Sequence, residues 1–584
     1  MINQRFTYSL LCILFFIYKQ SVAQSFKIVL SDNPLGYTVP MERDSTGASI
    51  FLNKIKHYYI SKGFLGFSYD SLNWSKNKVE AKVYVGSVYA IGSIKALIID
   101  GQENKMLDIK NYEGKYDSTK WFQNVNVILN QMENNGYPFC KVMVKTKVIE
   151  GGILDYILEI ERGAYFTYDT FYIEGDRVVN DKFLQAYLGI RQGQAYNESI
   201  FKKTNDRLNQ LSFLKSERNP LMAFIIGGKA KPYLYLKKRK SDQINGIVGM
   251  APNSGAQSTK LLFTGEFMLK LNNLFKSAKA VSINWRSFNA RSQELKSSVN
   301  LPYLFYKPIG LDYHLEFLKF DTLFTNFSNQ IGLQYYTSGV NGIKAIYNSK
   351  STNLNFVDTS AIKLSRQLPN INSLQIKLYG FEWIFNLLDN RFNPQKGWFA
   401  DGSLTIGTKE IIKDNQIANL RFNDGLNLYD SIQLKTTQLQ YRIKFDKFFK
   451  ISKNGALKIG GLTSQIIAPK IYFNELMREG GINSLKGFNE QSIFASNFNM
   501  LDIEYRYLIG GESHIKAFWN GAYYEDKSYG RLNQVKDFPW GFGIGGNFET
   551  GAGILSIMYA LGKEKNNRFD LRTGKIHFGI SSYF

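Results

Sequence analysis

The side chains able to do chemistry are few, and their spacing points away from catalysis. Four histidines, His57, His314, His514 and His577, occur in 584 residues. None falls in an HExxH or Cys/His spacing that would hold a metal. The run Gly541-Phe542-Gly543-Ile544-Gly545-Gly546 has the letters of a phosphate-binding loop. It lies in an alternating, strand-like pattern with no helix after it, so its glycines are expected to allow bends or close packing in a wall. No nucleophile–base constellation stands out, and no cofactor is implied. Three polar groupings remain: Gly480-Gly481-Ile482-Asn483-Ser484-Leu485-Lys486-Gly487-Phe488; Asp502, Glu504 and Arg506, followed by Asn520; and Asp389-Asn390-Arg391-Phe392-Asn393-Pro394-Gln395-Lys396-Gly397. Cations, carboxylates and amides grouped in this way suit a structural ionic network better than acid–base work.

Composition indicates what carries these groups. Aromatic residues make up 15%, with 44 Phe and 36 Tyr against 12 Pro and 2 Cys. That balance excludes a disulfide scaffold and favours pleated sheet, whose surface accepts aromatic side chains. A mean hydropathy of −0.24 is compatible with a membrane barrel, because barrel strands alternate apolar and polar residues. The net charge of +23 invites a nucleic-acid reading. Against it, the basic residues are spread along the chain, and the densest run, Lys237-Lys238-Arg239-Lys240, is short. Solvated faces near anionic lipid headgroups account for the charge. No nucleic-acid partner is expected.

Arg5, the apolar run Leu10 to Ile17 and the small residues Ser21 and Ala23 form a secretory signal pattern over residues 1–23. The run is too short to span a bilayer as a helix. Cys140 would then be the one remaining thiol. Residues 25–241 carry a weak repeat. Helical patterns end at Gly63 and Gly136, and strand-like segments end at Gly101 and Gly175, with nearly the same separation in each pair. A glycine just past the last turn can take positive φ and stop a helix. A third helical pattern runs from Ile200 to Leu211. The units read as 25–88, 89–164 and 165–241.

From residue 243 to 584 the period becomes 2. Leu501, Ile503, Tyr505 and Tyr507 alternate with Asp502, Glu504 and Arg506, and Leu439, Tyr441, Ile443 and Phe445 with Gln440, Arg442 and Lys444. About sixteen such strands fit, with short connections after even-numbered strands and long ones, including 350–373, 409–432 and 468–495, after odd-numbered strands. That asymmetry marks an outer-membrane barrel. The expected fold is thus α+β repeats followed by an all-β transmembrane barrel of about 16 antiparallel strands.

Four motifs carry a family resemblance. Gly480 to Phe488 resembles the sixth extracellular loop of the BamA/TamA superfamily, with Leu485 and Lys486 where the family has Val and Arg. Asp389, Arg391, Pro394 and Gly397 resemble its D-x-R…P-x-x-G turn. Glu504 and Arg506 resemble its E-x-R strand. Phe578, Ile580 and the terminal Phe584 resemble its closing strand, which is read by the assembly machinery. The three repeats resemble periplasmic POTRA modules of the βααββ type, the third most closely through Ile173-Glu174-Gly175 and a helix over Asn180 to Leu188. The resemblance implies a non-enzymatic factor that folds, inserts or translocates other outer-membrane proteins. Its partners would be unfolded or nascent clients, outer-membrane lipids and possible accessory envelope proteins. It also implies that Lys486 docks in the lumen against Glu504, with Asn520 where the family has a second acid. Gly246 and Gly249 in the first strand would weaken its seam with the last, making a lateral gate. Two other readings stand: a two-partner secretion translocator with one dedicated substrate, and a passive porin or surface antigen.

Overall fold

The computed structural model describes residues 27–31, 44–100, 103–107, 114–149, 151–252, 261–289, 291–390, 393–422, 425, 427–430, 432–481, 484–489, 491–510, 513–530, 535–550, 553–564 and 574–582. The signal pattern lies outside them. The chain divides into two compact units, one comprising residues up to Thr167 with Ala195–Ser199 and Ile226–Gly228, the other the rest.

The first unit holds two modules. In the first, helix α1 (Ser45–Ser61) starts where the Asp44 carboxylate accepts the Gly47 N–H at 2.7 Å. It buries Phe51, Leu52, Ile55 and Tyr59 against Val79, Ala81 and Val83 of a three-stranded sheet. In the second, α2 (Ser118–Asn134) packs Ile128 and Met132 on Ile94, Ala96, Leu158 and Ile160. Both helices stop at the expected glycines: Gly63 has φ +97° and Gly136 has φ +98°. The second module departs from βααββ. Glu103–Leu107 forms a strand paired with Ala90–Asp100, where the pattern would put a first helix.

The second unit joins the third module to the barrel. Asn180 caps α3 (Asp181–Leu188) by accepting the Lys182 N–H at 2.8 Å. The single helical pattern after Ile200 is broken into α4 (Glu198–Lys202) and α5 (Thr204–Gln210). The barrel strands are β1 (Gln243–Pro252), β2 (Leu261–Leu274), β3 (Lys279–Asn289), β4 (Ser292–Leu301), β5 (Ile309–Phe320), β6 (Phe324–Ser338), β7 (Asn341–Leu354) and β8 (Leu374–Asn386). They continue as β9 (Gly397–Ile411), β10 (Lys435–Lys450), β11 (Gly455–Ile467), β12 (Asn497–Gly510), β13 (Ser513–Asp526), β14 (Trp540–Thr550), β15 (Gly553–Lys563) and β16 (Lys575–Ser582). Each pairs antiparallel with the next, and Val535–Asp537 lengthens the β13 ladder. β1 and β16 adjoin, yet among the described residues no ladder joins them.

Sidedness is inverted relative to a soluble sandwich. On β12, Leu501 and Tyr505 are 44% and 45% exposed, whereas Asp502 and Glu504 are 3% and 2% exposed. Apolar side chains therefore face lipid and ionic ones face the interior. The short turns meet the third module: the Asn180 N–H donates to Lys276 O at 2.9 Å, and Gln210 Nε2 donates to Asn386 O at 3.1 Å. At the opposite end the long loops form a cap. Helices α6 (Thr359–Ser365) and α7 (Asn415–Ala418) place Ile362 and Ile417 in a core with Leu368, Leu428, Tyr429 and Tyr472.

Candidate functional site: the loop docked in the lumen

Loop 468–495 folds back on the inner wall. Its turn is built locally: the Gly480 N–H donates to Ser484 Oγ at 2.7 Å and the Gly481 N–H to Leu485 O at 3.1 Å. Leu485 and Phe488 then enter a core with Leu462, Ile493, Phe498 and Ala522. The backbone itself touches the wall. A Cβ on Gly541 of β14 would stand 2.4 Å from Lys486 O, and one on Gly562 of β15 would stand 2.6 Å from Gly487 O. These distances admit only glycine without displacement of the loop. The glycine run that resembled a phosphate loop thus contributes Gly541 as part of the docking surface.

Lys486 is buried at the centre. Its Nζ lies 2.7 Å from Asp502 Oδ1 and 5.0 Å above the Phe518 ring, and its backbone N–H donates to Asn520 Oδ1 at 2.8 Å. Asn520 Nδ2 donates in turn to Gly541 O at 3.1 Å. The expected partner, Glu504, is not the one used. Asp502 sits directly opposite Asn520 in the β12–β13 ladder. Once Asn520 holds the Lys486 backbone, the ammonium falls beside Asp502. Glu504 is already paired with Arg506 Nε, and Lys516 Nζ lies 3.7 Å from it. Lys458 bridges Asp502 at 2.9 Å and Asp446 at 3.1 Å. Lys486, Asp502, Lys458 and Asp446 therefore alternate in one network, which Lys444 Nζ joins 3.6 Å from Asp446.

The second motif forms a turn between β8 and β9. Asp389 Oδ1 accepts the Gln395 and Lys396 N–H groups at 3.0 and 3.2 Å, and Pro394 is buried. At Gly397 a Cβ would meet Leu387 O at 2.1 Å. Arg391 and Phe584 lie outside the described residues. Phe578 and Ile580 fall on β16, and Gly246 and Gly249 on β1 pair with Phe267 and Thr264 of β2. Sequence reasoning missed a second buried pair, Lys409 Nζ to Glu475 Oε1 at 2.6 Å, which ties β9 to the loop beneath the cap. The sequence pattern puts Lys409 at the start of the long connection 409–432, whereas the strand runs on to Ile411. Nothing local marked Glu475 as its partner.

A ring of sixteen antiparallel strands, apolar outside and ionic inside, with α/β modules ahead of it, defines an outer-membrane barrel protein of POTRA-plus-barrel architecture. The chain matches the Omp85 superfamily domain over residues 273–584, just over half its length, and it belongs to the Omp85 superfamily. Its barrel resides in the outer membrane with the POTRA modules in the periplasm. No curated protein matches the chain. Among solved structures, CdiB from Escherichia coli aligns at 12% identity with a TM-score of 0.50, over 94% of this chain and 100% of that one. BamA from Haemophilus ducreyi lacking POTRA domains 1–3 aligns at 15% identity with a TM-score of 0.39, over 85% and 100%. At such identities the likeness concerns fold alone.

Proposed function

We propose that this chain assembles other outer-membrane proteins. POTRA edge strands take unfolded clients by strand addition, and the barrel releases them into the bilayer between β1 and β16. The contrast between the two exits supports this reading. Outward passage meets the docked loop and the capped mouth, held by the buried Lys409–Glu475 pair. Sideways, β1 and β16 adjoin without a ladder among the described residues. Net backbone hydrogen bonds contribute about 0.5–1.5 kcal/mol each, so a seam without a ladder among its described residues would open more readily than the fully laddered junctions of the wall.

Engineered cysteine pairs across β1 and β16 test this. Crosslinking should abolish client assembly while the barrel stays folded, and reductant should restore it. If the locked protein assembles clients as well as the reduced one, the lateral route is wrong. Secretion of a dedicated substrate through an opened lumen then becomes the better account.

A further inference from the structure

A cavity of ≈ 330 Å³ lies beneath the cap, between the inner wall of β4–β8 and the segment Phe473–Arg478. Strand register builds its wall: Lys296, Glu316, Ser328 and Lys350 stand side by side across β4, β5, β6 and β7. The loop contributes Asn474 and Arg478, and the Phe473 and Phe494 rings, stacked at 4.8 Å, form one apolar flank.

The charges around this cavity do not balance. Glu294 is shared by Arg286 at 2.8 Å, Lys296 at 3.1 Å and Arg478 at 3.6 Å. Glu316 stands 3.7 Å from Lys296, and Glu475 is occupied by Lys409. Lys350 lines the cavity and makes no ion pair or hydrogen bond among the described residues. Among the described residues, Lys296, Lys350, Lys409 and Arg478 are set against Glu294, Glu316 and Glu475, and Lys350 is the cation of the four that no carboxylate contacts. An ammonium in a recess without a contacting carboxylate is left with its charge uncompensated, and an anion entering the recess would supply the missing partner.

We propose that this cavity binds a small phosphate-bearing anion, held by Lys350 together with Lys296 and Arg478. A water's share of liquid volume is about 30 Å³, so there is room for a phosphate and one sugar ring. The stacked phenylalanines offer a face to such a ring. Because Arg478 belongs to the loop and the lysines to the wall, the anion would also fasten the loop to the barrel.

The test uses the full-length protein in detergent and phosphate-free buffer, titrated with inorganic phosphate and with glucose 1-phosphate, chloride serving as the ionic-strength control. Calorimetric titration should give saturable binding, and the thermal unfolding midpoint should rise with it. Lys350→Met should weaken binding at least tenfold and raise the midpoint in anion-free buffer, because it removes an unpaired charge. Lys350→Arg should retain binding. If Lys350→Met fails to fold, Lys350→Gln takes its place. Tighter binding of the sugar phosphate identifies a saccharide ligand, and equal binding identifies phosphate itself. Absence of saturable binding to the wild type, or equal binding by wild type and the methionine variant, overturns the proposal.

Discussion

Lys486 and the two acids on β12 give the most direct test of how the loop is held. Asp502 has two cations, Lys486 at 2.7 Å and Lys458 at 2.9 Å. Lys486→Met leaves Asp502 with Lys458, so it removes one charge-assisted hydrogen bond, about 1.5–3 kcal/mol. Lys486→Glu adds repulsion of about 4 kcal/mol for like charges ~4 Å apart at an effective dielectric constant of ~20. Asp502→Asn strands Lys486 in a buried site, a loss of about 3–5 kcal/mol. Glu504→Gln leaves the Lys486–Asp502 contact intact. Hydrogen exchange of residues 484–489 in the purified protein reads docking directly. The expected order of protection is wild type and Glu504→Gln highest, Lys486→Met lower by tenfold or more, and Asp502→Asn and Lys486→Glu lowest. If Glu504→Gln frees the loop and Asp502→Asn does not, the assignment of Asp502 is wrong. If Lys486→Glu exchanges like wild type, the loop is not held by this contact at all.

Other perturbations address neighbouring parts. Gly541→Val should expel the loop, at a cost of about 1–3 kcal/mol or more, whereas Gly461→Ala, whose Cβ would meet only Met500 O at 3.4 Å, should be neutral; urea midpoints distinguish them. Lys409→Met leaves Glu475 buried without its cation, costing about 3–5 kcal/mol, and should raise ion conductance in planar bilayers by loosening the cap. Asn520→Asp removes the donor to Gly541 O and should destabilise by about 1–3 kcal/mol. Combining it with Lys486→Arg should recover stability, giving a measurable coupling in a double-mutant cycle. Deleting Tyr583 and Phe584 should block insertion, and normal outer-membrane levels of the truncated protein would refute a tail signal.

The barrel was legible because period-2 alternation survives in strands of ten or more residues. Leu501 and Tyr505 could be set on one face and Asp502 and Glu504 on the other without any structure. The helix stops at Gly63 and Gly136 were legible for a similar reason, since positive φ is a local demand. Periodicity gives a face but not a depth. Asp502 and Glu504 share the inner face, and which one meets Lys486 depends on the β12–β13 register, through the Asp502–Asn520 pairing. The break between α4 and α5 and the Glu103–Leu107 strand were hidden, because tertiary packing overrides weak local preference. Glu475 was hidden because its partner lies 66 residues away.

Relative to the arginine and second acid that the family resemblance implies, Lys486 and Asn520 remove one negative charge and leave the ammonium with Asp502 as its contacting carboxylate. Arginine's fork can serve two carboxylates, while lysine supplies one point charge. Here Asn520 gives its carbonyl to the Lys486 N–H and its amide to Gly541 O, so it anchors the loop without adding charge. The anchoring reaches β14 and β15 through Gly541 and Gly562 but stops one strand short of the seam. β16 is held along one edge by the ladder Gly553–Ala560 with Ser582–Lys575, and its other edge adjoins β1. On the proposed mechanism, the docked loop therefore stiffens the wall up to β15 and leaves β16 as the element free to move. Undocking the loop should extend that freedom to β15 and β14, which links the Lys486–Asp502 contact to the width of the lateral opening.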